Sequence, residues 1–79
     1  MTPNFQAYPT VFTNHVDFEI SNLASENVRI TIRNAAGATV DEINTLHWDN
    51  CDKLSAGVYF ATLYTEDFTA TVKLVKVIR

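Results

Sequence analysis

The sequence predicts an all-β fold: a sandwich of six to seven short strands in antiparallel sheets. Three observations carry this. Apolar and polar residues alternate at a period of two, most clearly at Val16, Phe18 and Ile20 and again at Val28, Ile30 and Ile32, which is the signature of strands with one buried face. Such segments recur at intervals of roughly 8–12 residues, with turn-forming residues between them. No segment carries an apolar stripe of useful length at the helical period of about 3.6 residues. The 79 residues, 47% apolar and 19% charged, make one globular domain. A chain of this size buries roughly 60% of the surface it would expose unfolded.

Residues 1–5 read as an added start or linker remnant, ahead of a domain spanning 6–79. Phe5 to Phe12 reads as an edge segment. Pro9 cannot donate to a ladder and therefore suits an edge, or a break between two short strands. Thr13-Asn14 is a turn, and His15 to Asn22 alternates with Val16, Phe18 and Ile20 on one face. Asn22 to Asn27 is a polar connection with Leu23 tucked in. Val28 to Arg33 is the next strand, and Asn34-Ala35-Ala36-Gly37 is a turn in which Gly37 supplies positive φ. Ala38 to Ile43 is a weaker strand whose Asp41-Glu42 pair protects an edge. Leu46 and Trp48 are the buriable residues of an irregular stretch, with a short strand expected around Leu46 to Asp49.

The strongest strand signal is Gly57 to Thr65, fed by the turn Leu54-Ser55-Ala56. Tyr59, Ala61 and Leu63 fall on one face, and Val58, Phe60, Thr62 and Tyr64 on the other. Both faces carry apolar bulk, which predicts a central strand covered on both sides. Glu66-Asp67 marks a turn. The last strand, from Phe68 to about Ile78, is dense in β-branched residues and punctuated by Lys73, Lys76 and Arg79.

Several functions are disfavoured by composition. A net charge of −3 argues against nucleic acid, which needs clustered cations. Cys51 is the single cysteine, so neither an internal disulfide nor a cysteine-based zinc site forms. No apolar run reaches the roughly 18 residues of a membrane-spanning helix. The polar, Pro-containing first residues do not read as a signal peptide. Met1 reads as the start of a domain excised from a larger protein.

Motifs for nucleophile elbows, zinc proteases and phosphate loops are absent, which predicts no catalytic, cofactor or metal residues. His47, Asp49 and Cys51 would share a strand face as a nucleophile–base or ligand set, but no oxyanion donor or further ligand accompanies them. Acids at Asp41-Glu42, Asp49-Asn50-Asp52 and Glu66-Asp67 have the ligand type of a calcium site and equally that of solvated turns. Trp48 reads as a core plug, or, if exposed, as a stacking platform for sugar. The segment Lys73-Leu74-Val75-Lys76-Val77-Ile78-Arg79 places three cations among apolar residues. It reads as a final sandwich strand and also as an accessible address.

Four stretches resemble one family, the C-terminal sorting domains of the type IX (Por) secretion system of Bacteroidetes-type bacteria. Tyr8-Pro9-Thr10-Val11-Phe12-Thr13-Asn14-His15-Val16 is similar to the family's opening segment, with Val11 standing where a second proline is usual. Val28-Arg29-Ile30-Thr31-Ile32-Arg33-Asn34-Ala35-Ala36-Gly37 is similar to its middle strand and turn. Leu54-Ser55-Ala56-Gly57-Val58-Tyr59-Phe60 and the basic-apolar end from Lys73 are similar to its last motifs. Leu46 to Lys53 also resembles a strand of flagellar-hook-cap-like immunoglobulin domains, without their glycine after Trp48-Asp49; that relative is a sandwich too.

The resemblance implies an immunoglobulin-like sandwich and a non-catalytic role. Such a domain carries a fused upstream cargo across the outer membrane, from the periplasm in transit to the cell surface or medium. In many cargoes a sortase-like peptidase then removes it. Translocon recognition would fall on Lys73, Leu74, Val75, Lys76, Val77, Ile78 and Arg79. Tyr8, Pro9, Gly37, Gly57 and Tyr59 would be structural. Recognition would use an exposed face shared by Lys73 and Lys76, or strand addition at the terminal edge. The edge route also predicts a homodimer through that strand. The competing reading is an accessory immunoglobulin-like module binding carbohydrate or protein on an exported enzyme, its contact an exposed Trp48.

Overall fold

The computed structural model describes residues 4–21, 28–49, 53–65 and 69–78. Eight strands form among them: β1 (Asn4–Tyr8), β2 (Val11–Phe12), β3 (Val16–Ser21), β4 (Arg29–Asn34), β5 (Thr39–Ile43), β6 (His47–Trp48), β7 (Gly57–Tyr64) and β8 (Thr69–Lys76). They make a three-stranded sheet, β1-β3-β6, and a five-stranded sheet, β2-β8-β7-β4-β5. The expected sandwich is therefore present, with one strand more than expected. Pro9 divides the first segment, so β1 belongs to one sheet and β2 to the other. β1 begins at Asn4, inside the stretch read as a leading linker, and Phe5 stacks on Phe18 with ring centroids 5.5 Å apart.

The pairing is antiparallel with one exception among the described residues. β2 runs parallel to β8, with Val11 opposite Val75 and Phe12 opposite Lys76. The chain must switch sheets after β1 because Pro9 has no N–H with which to continue the ladder. Beyond it, the carbonyls of Thr10 and Phe12 accept from the N–H groups of Val75 and Val77 at 2.8 and 2.9 Å.

The core is the space between the sheets. Val16 and Phe18 enter from β3, Trp48 from β6, Ile30 and Ile32 from β4, Tyr59, Ala61 and Leu63 from β7, Leu74 from β8 and Phe12 from β2. Phe12 lies at the centre, 5.6 Å from the Trp48 ring and 6.5 Å from that of Tyr59. Trp48 is 1% exposed, and its Nε1 donates to Asp41 Oδ2 at 2.8 Å across to β5. The Tyr59 hydroxyl donates to the Ser55 carbonyl at 2.7 Å, which ties the approach to Gly57 against the strand that follows.

Two expectations are corrected. Among the described residues β7 is central but covered on one face only. A two-layer sandwich gives the five-stranded sheet a single partner, so Phe60 stays 37% exposed and Val58, Thr62 and Tyr64 are half-buried by cross-strand neighbours alone. Leu46 is exposed rather than buried. The strand begins only at His47, so the inward parity of Trp48 does not reach back to it. Its carbonyl nevertheless accepts from Phe18 N–H at 2.7 Å.

The turn at residues 34–38 forms as its sequence requires. Asn34 Oδ1 accepts from the N–H groups of Ala36 and Ala38, both at 3.0 Å, and Gly37 has φ of 90°. Gly57 enters β7 at φ of 150°, which a side chain also disfavours. The Asn22–Asn27 connection with Leu23, the Glu66-Asp67 turn and Phe68 lie outside the described residues.

Candidate recognition surface

β8 alternates because it is a strand, and the alternation sorts its terminal residues. Lys73 is exposed and Val75 half-buried on the outer face of the five-stranded sheet; Leu74 and Lys76 point into the sandwich. The expectation that Lys73 and Lys76 share an exposed face is therefore overturned, since an odd separation puts them on opposite sides of the sheet. Lys76 is only 6% exposed. Its Nζ donates to the Thr13 carbonyl and lies 5.7 Å from the centre of the Phe12 ring. Its ammonium thus meets an acceptor and an aromatic face, while its stem is buried.

Val77 is half-buried and bonded to Phe12, and Ile78 is 70% exposed. Arg79 lies outside the described residues. Of the seven residues singled out, Lys73 and Ile78 present most side chain to solvent among those described. The edge expected to be open at Val75–Val77 is taken by β2, so backbone pairing with another strand is blocked there. Residues 69–74 have no paired strand on that side among the described residues.

The outer face of the five-stranded sheet is set by register. One row runs Lys73, Phe60, Arg33; a second runs Val11, Val75, Val58; a third runs Thr71, Thr62, Thr31, Glu42; a fourth runs Thr69, Tyr64, Arg29. Arg29 lies 5.2 Å over the Tyr64 ring. Thr62 and Thr71 hydroxyls are bonded at 3.0 Å, and Thr31 donates to Glu42 at 3.3 Å. No single segment reveals this surface, because it is assembled from five strands spread along the chain.

The opposite outer face holds the histidines. His47 Nδ1 lies 2.5 Å from Asp17 Oδ1 and its Nε2 3.5 Å from Asp49 Oδ2. The His15 ring stacks on it at 6.1 Å. The hydrogen bond with Asp17 raises the His47 pKa above its ordinary 6.5, helped by the negative charge of Asp17 and Asp49 and opposed by desolvation. Sequence parity paired His47 with Asp49 and Cys51. The tighter partner, Asp17, comes from β3 through the β3–β6 pairing. Cys51, Asn50, Asp52, Glu66 and Asp67 lie outside the described residues. Among the described residues no group of three or more His, Cys, Asp and Glu is arranged to hold a metal ion. Trp48, as a core residue, offers no platform for sugar.

Tyr8 ends β1 with an exposed ring whose hydroxyl donates to Gln6 Oε1, and the Tyr8–Pro9 bond is cis. Among known families, the chain matches the secretion system C-terminal sorting domain over residues 6–77. No curated protein matches the chain.

Proposed function

The chain belongs to the family of secretion system C-terminal sorting domains, and on that premise we propose that it is the non-catalytic signal that takes a fused upstream cargo through the periplasm and across the outer membrane. Family membership implies recognition by type IX secretion machinery and export to the surface or medium. The finer reading is that translocon components engage the end of β8 and its continuation, Lys73 to Arg79, and that a sortase-like peptidase removes the domain on surface attachment. The observation that carries this reading is the extent of the match, which runs from Gln6 within β1 through the whole of β8 to Val77. A folded β domain offering Lys73 and Ile78 to solvent suits a receptor that reads side chains.

The test is a fluorescent reporter carrying a periplasmic export signal, fused ahead of residues 1–79. It is expressed in a host with the type IX system and in the same host lacking it. Reporter on the surface or in the medium of the first, and in the periplasm of the second, is the expected result. Periplasmic retention in both refutes the reading. Deleting Val75 to Arg79 is a poor substitute, because it strips the pairing with β2 and the Lys76 anchor and confounds recognition with unfolding. Ile78→Ser in the same fusion keeps the fold and probes the address directly.

A further inference from the structure

The charges of the two outer faces are segregated. Among the described residues the outer face of the three-stranded sheet carries Asp17 and Glu19, with Asp49 beside His47, and no Lys or Arg. Among the described residues the outer face of the five-stranded sheet carries Arg29, Arg33 and Lys73, with Glu42 its one acid. Three of the six cations of a chain with net charge −3 are thus gathered on one side.

The cations flank an apolar centre. Phe60 sits between Lys73 and Arg33 in one row, and Val58, Val75 and Val11 form the neighbouring row, with Val11 56% exposed. Rows on a sheet face lie about 6.6–6.8 Å apart and strands about 4.8 Å, so these side chains form one contiguous patch. An apolar centre flanked by cations fits the anatomy of a protein interface, an apolar core with a polar rim. A polyanion groove would instead line up cations and have little use for valines.

We propose that this face is the docking surface for a protein partner bearing an apolar patch rimmed by Asp and Glu. This rests on the sorting-signal reading and identifies that partner as the element of the export machinery that reads the domain. The face extends recognition from the end of β8 to strands β2, β4 and β7. Arg33, Phe60 and Val11 thereby become recognition residues although they lie far from Lys73 in sequence.

The experiment uses the reporter fusion above. Wild-type delivery is the first arm, and its failure refutes the sorting-signal reading itself rather than this inference. With wild type delivered, the double reversal Arg33→Glu and Lys73→Glu, and separately Phe60→Ser, are each expected to lower surface reporter about tenfold or more. The control reversal Glu19→Lys on the opposite face leaves delivery unchanged. Circular dichroism melts of the purified domains identify any variant that fails to fold. For such a variant the readout is competition: free wild-type domain co-expressed in the periplasm reduces reporter delivery, and domain with the milder changes Arg33→Gln and Lys73→Gln does not.

Undiminished delivery of both face variants overturns the inference. Loss on charge reversal with no effect of Phe60→Ser also overturns it and indicates a polyanion. Sedimentation equilibrium of the purified chain is the last arm. A monomer supports the inference; self-association abolished equally by Glu19→Lys and by the double reversal overturns it, the occupant then being a second copy.

Discussion

Replacing Lys76 tests its place as an inward anchor of the fold. In Lys76→Ala three methylenes of a buried stem are lost, worth about 0.8 kcal/mol each, or about 2.4 kcal/mol. The bond from Nζ to the Thr13 carbonyl and the contact with the Phe12 ring are lost as well. A hydrogen bond to a charged group contributes about 1.5–3 kcal/mol and a cation–π contact about 0.5–2 kcal/mol. The cost of desolvating the ammonium offsets part of that, so the net loss is about 2–4 kcal/mol. A domain of 79 residues has a total stability of about 4–12 kcal/mol. Its unfolding entropy of about 0.17 kcal/mol per kelvin converts each kcal/mol into about 6 °C of Tm. Lys76→Ala is expected to lower Tm by about 12–24 °C. Lys76→Met keeps the stem and falls by about half as much. Lys73→Ala, at an exposed site, shifts Tm by less than about 3 °C. Thermal melts by circular dichroism on the three variants decide it. Equal shifts for Lys73→Ala and Lys76→Ala, or no shift for Lys76→Ala, would show that the inward assignment of Lys76 is wrong.

Trp48 emission is expected to be blue-shifted and resistant to acrylamide, given its burial; Trp48→Ala costs about 3–5 kcal/mol, and a red-shifted, readily quenched spectrum would refute the core placement. His47 is expected to titrate above 6.5 by proton NMR and to fall back toward that value in Asp17→Asn. Because its folded pKa is raised, the stabilisation is complete below the unfolded pKa and is lost as pH rises through the folded one; a Tm difference between wild type and Asp17→Asn that grows with pH across that window would refute it. Gly37→Ala costs about 1–2 kcal/mol and Gly37→Asn less, since φ is 90°. At Gly57, whose φ of 150° is far from the left-handed helical well near +57°, Asn gives no relief over Ala, and urea titrations of the four variants check both positions.

Local chemistry in the sequence was enough to place most strands. Val16, Phe18 and Ile20 alternate, Gly37 and Gly57 punctuate, Pro9 breaks the first segment, and each of these works within a few residues of itself. What stayed hidden depends on which strands become neighbours. Nothing near Phe60 says that its outer face lacks a covering layer, because that depends on how many sheets the fold stacks. Nothing near His47 says that Asp17 will lie opposite it. Leu46 looked as buriable as Trp48 because side-chain chemistry does not reveal where a two-residue strand begins. Parity within β8 was legible: an odd spacing between Lys73 and Lys76 already divides them between faces. Reading the terminal segment as a linear tag overrode it.

On the proposed reading, the same geometry gives a terminal address a whole domain behind it. The end of β8 is held by residues from the other end of the chain: the carbonyls of Thr10 and Phe12 fix the backbone of Val75 and Val77, and that of Thr13 holds Lys76. β7 secures the other side of β8 along its full length, from Gly57–Lys76 to Tyr64–Thr69. An isolated peptide of residues 69–79 would keep Lys73, Lys76 and Arg79 and lose the partners that aim Lys73 outward and Lys76 inward. It would also lose Arg33 and Phe60, which only the folded sheet brings beside Lys73. A receptor that reads such a surface responds to folding as well as to sequence. Variants that unfold the domain and variants that alter its face then give the same loss of export, and only measurements of stability made beside measurements of delivery tell them apart.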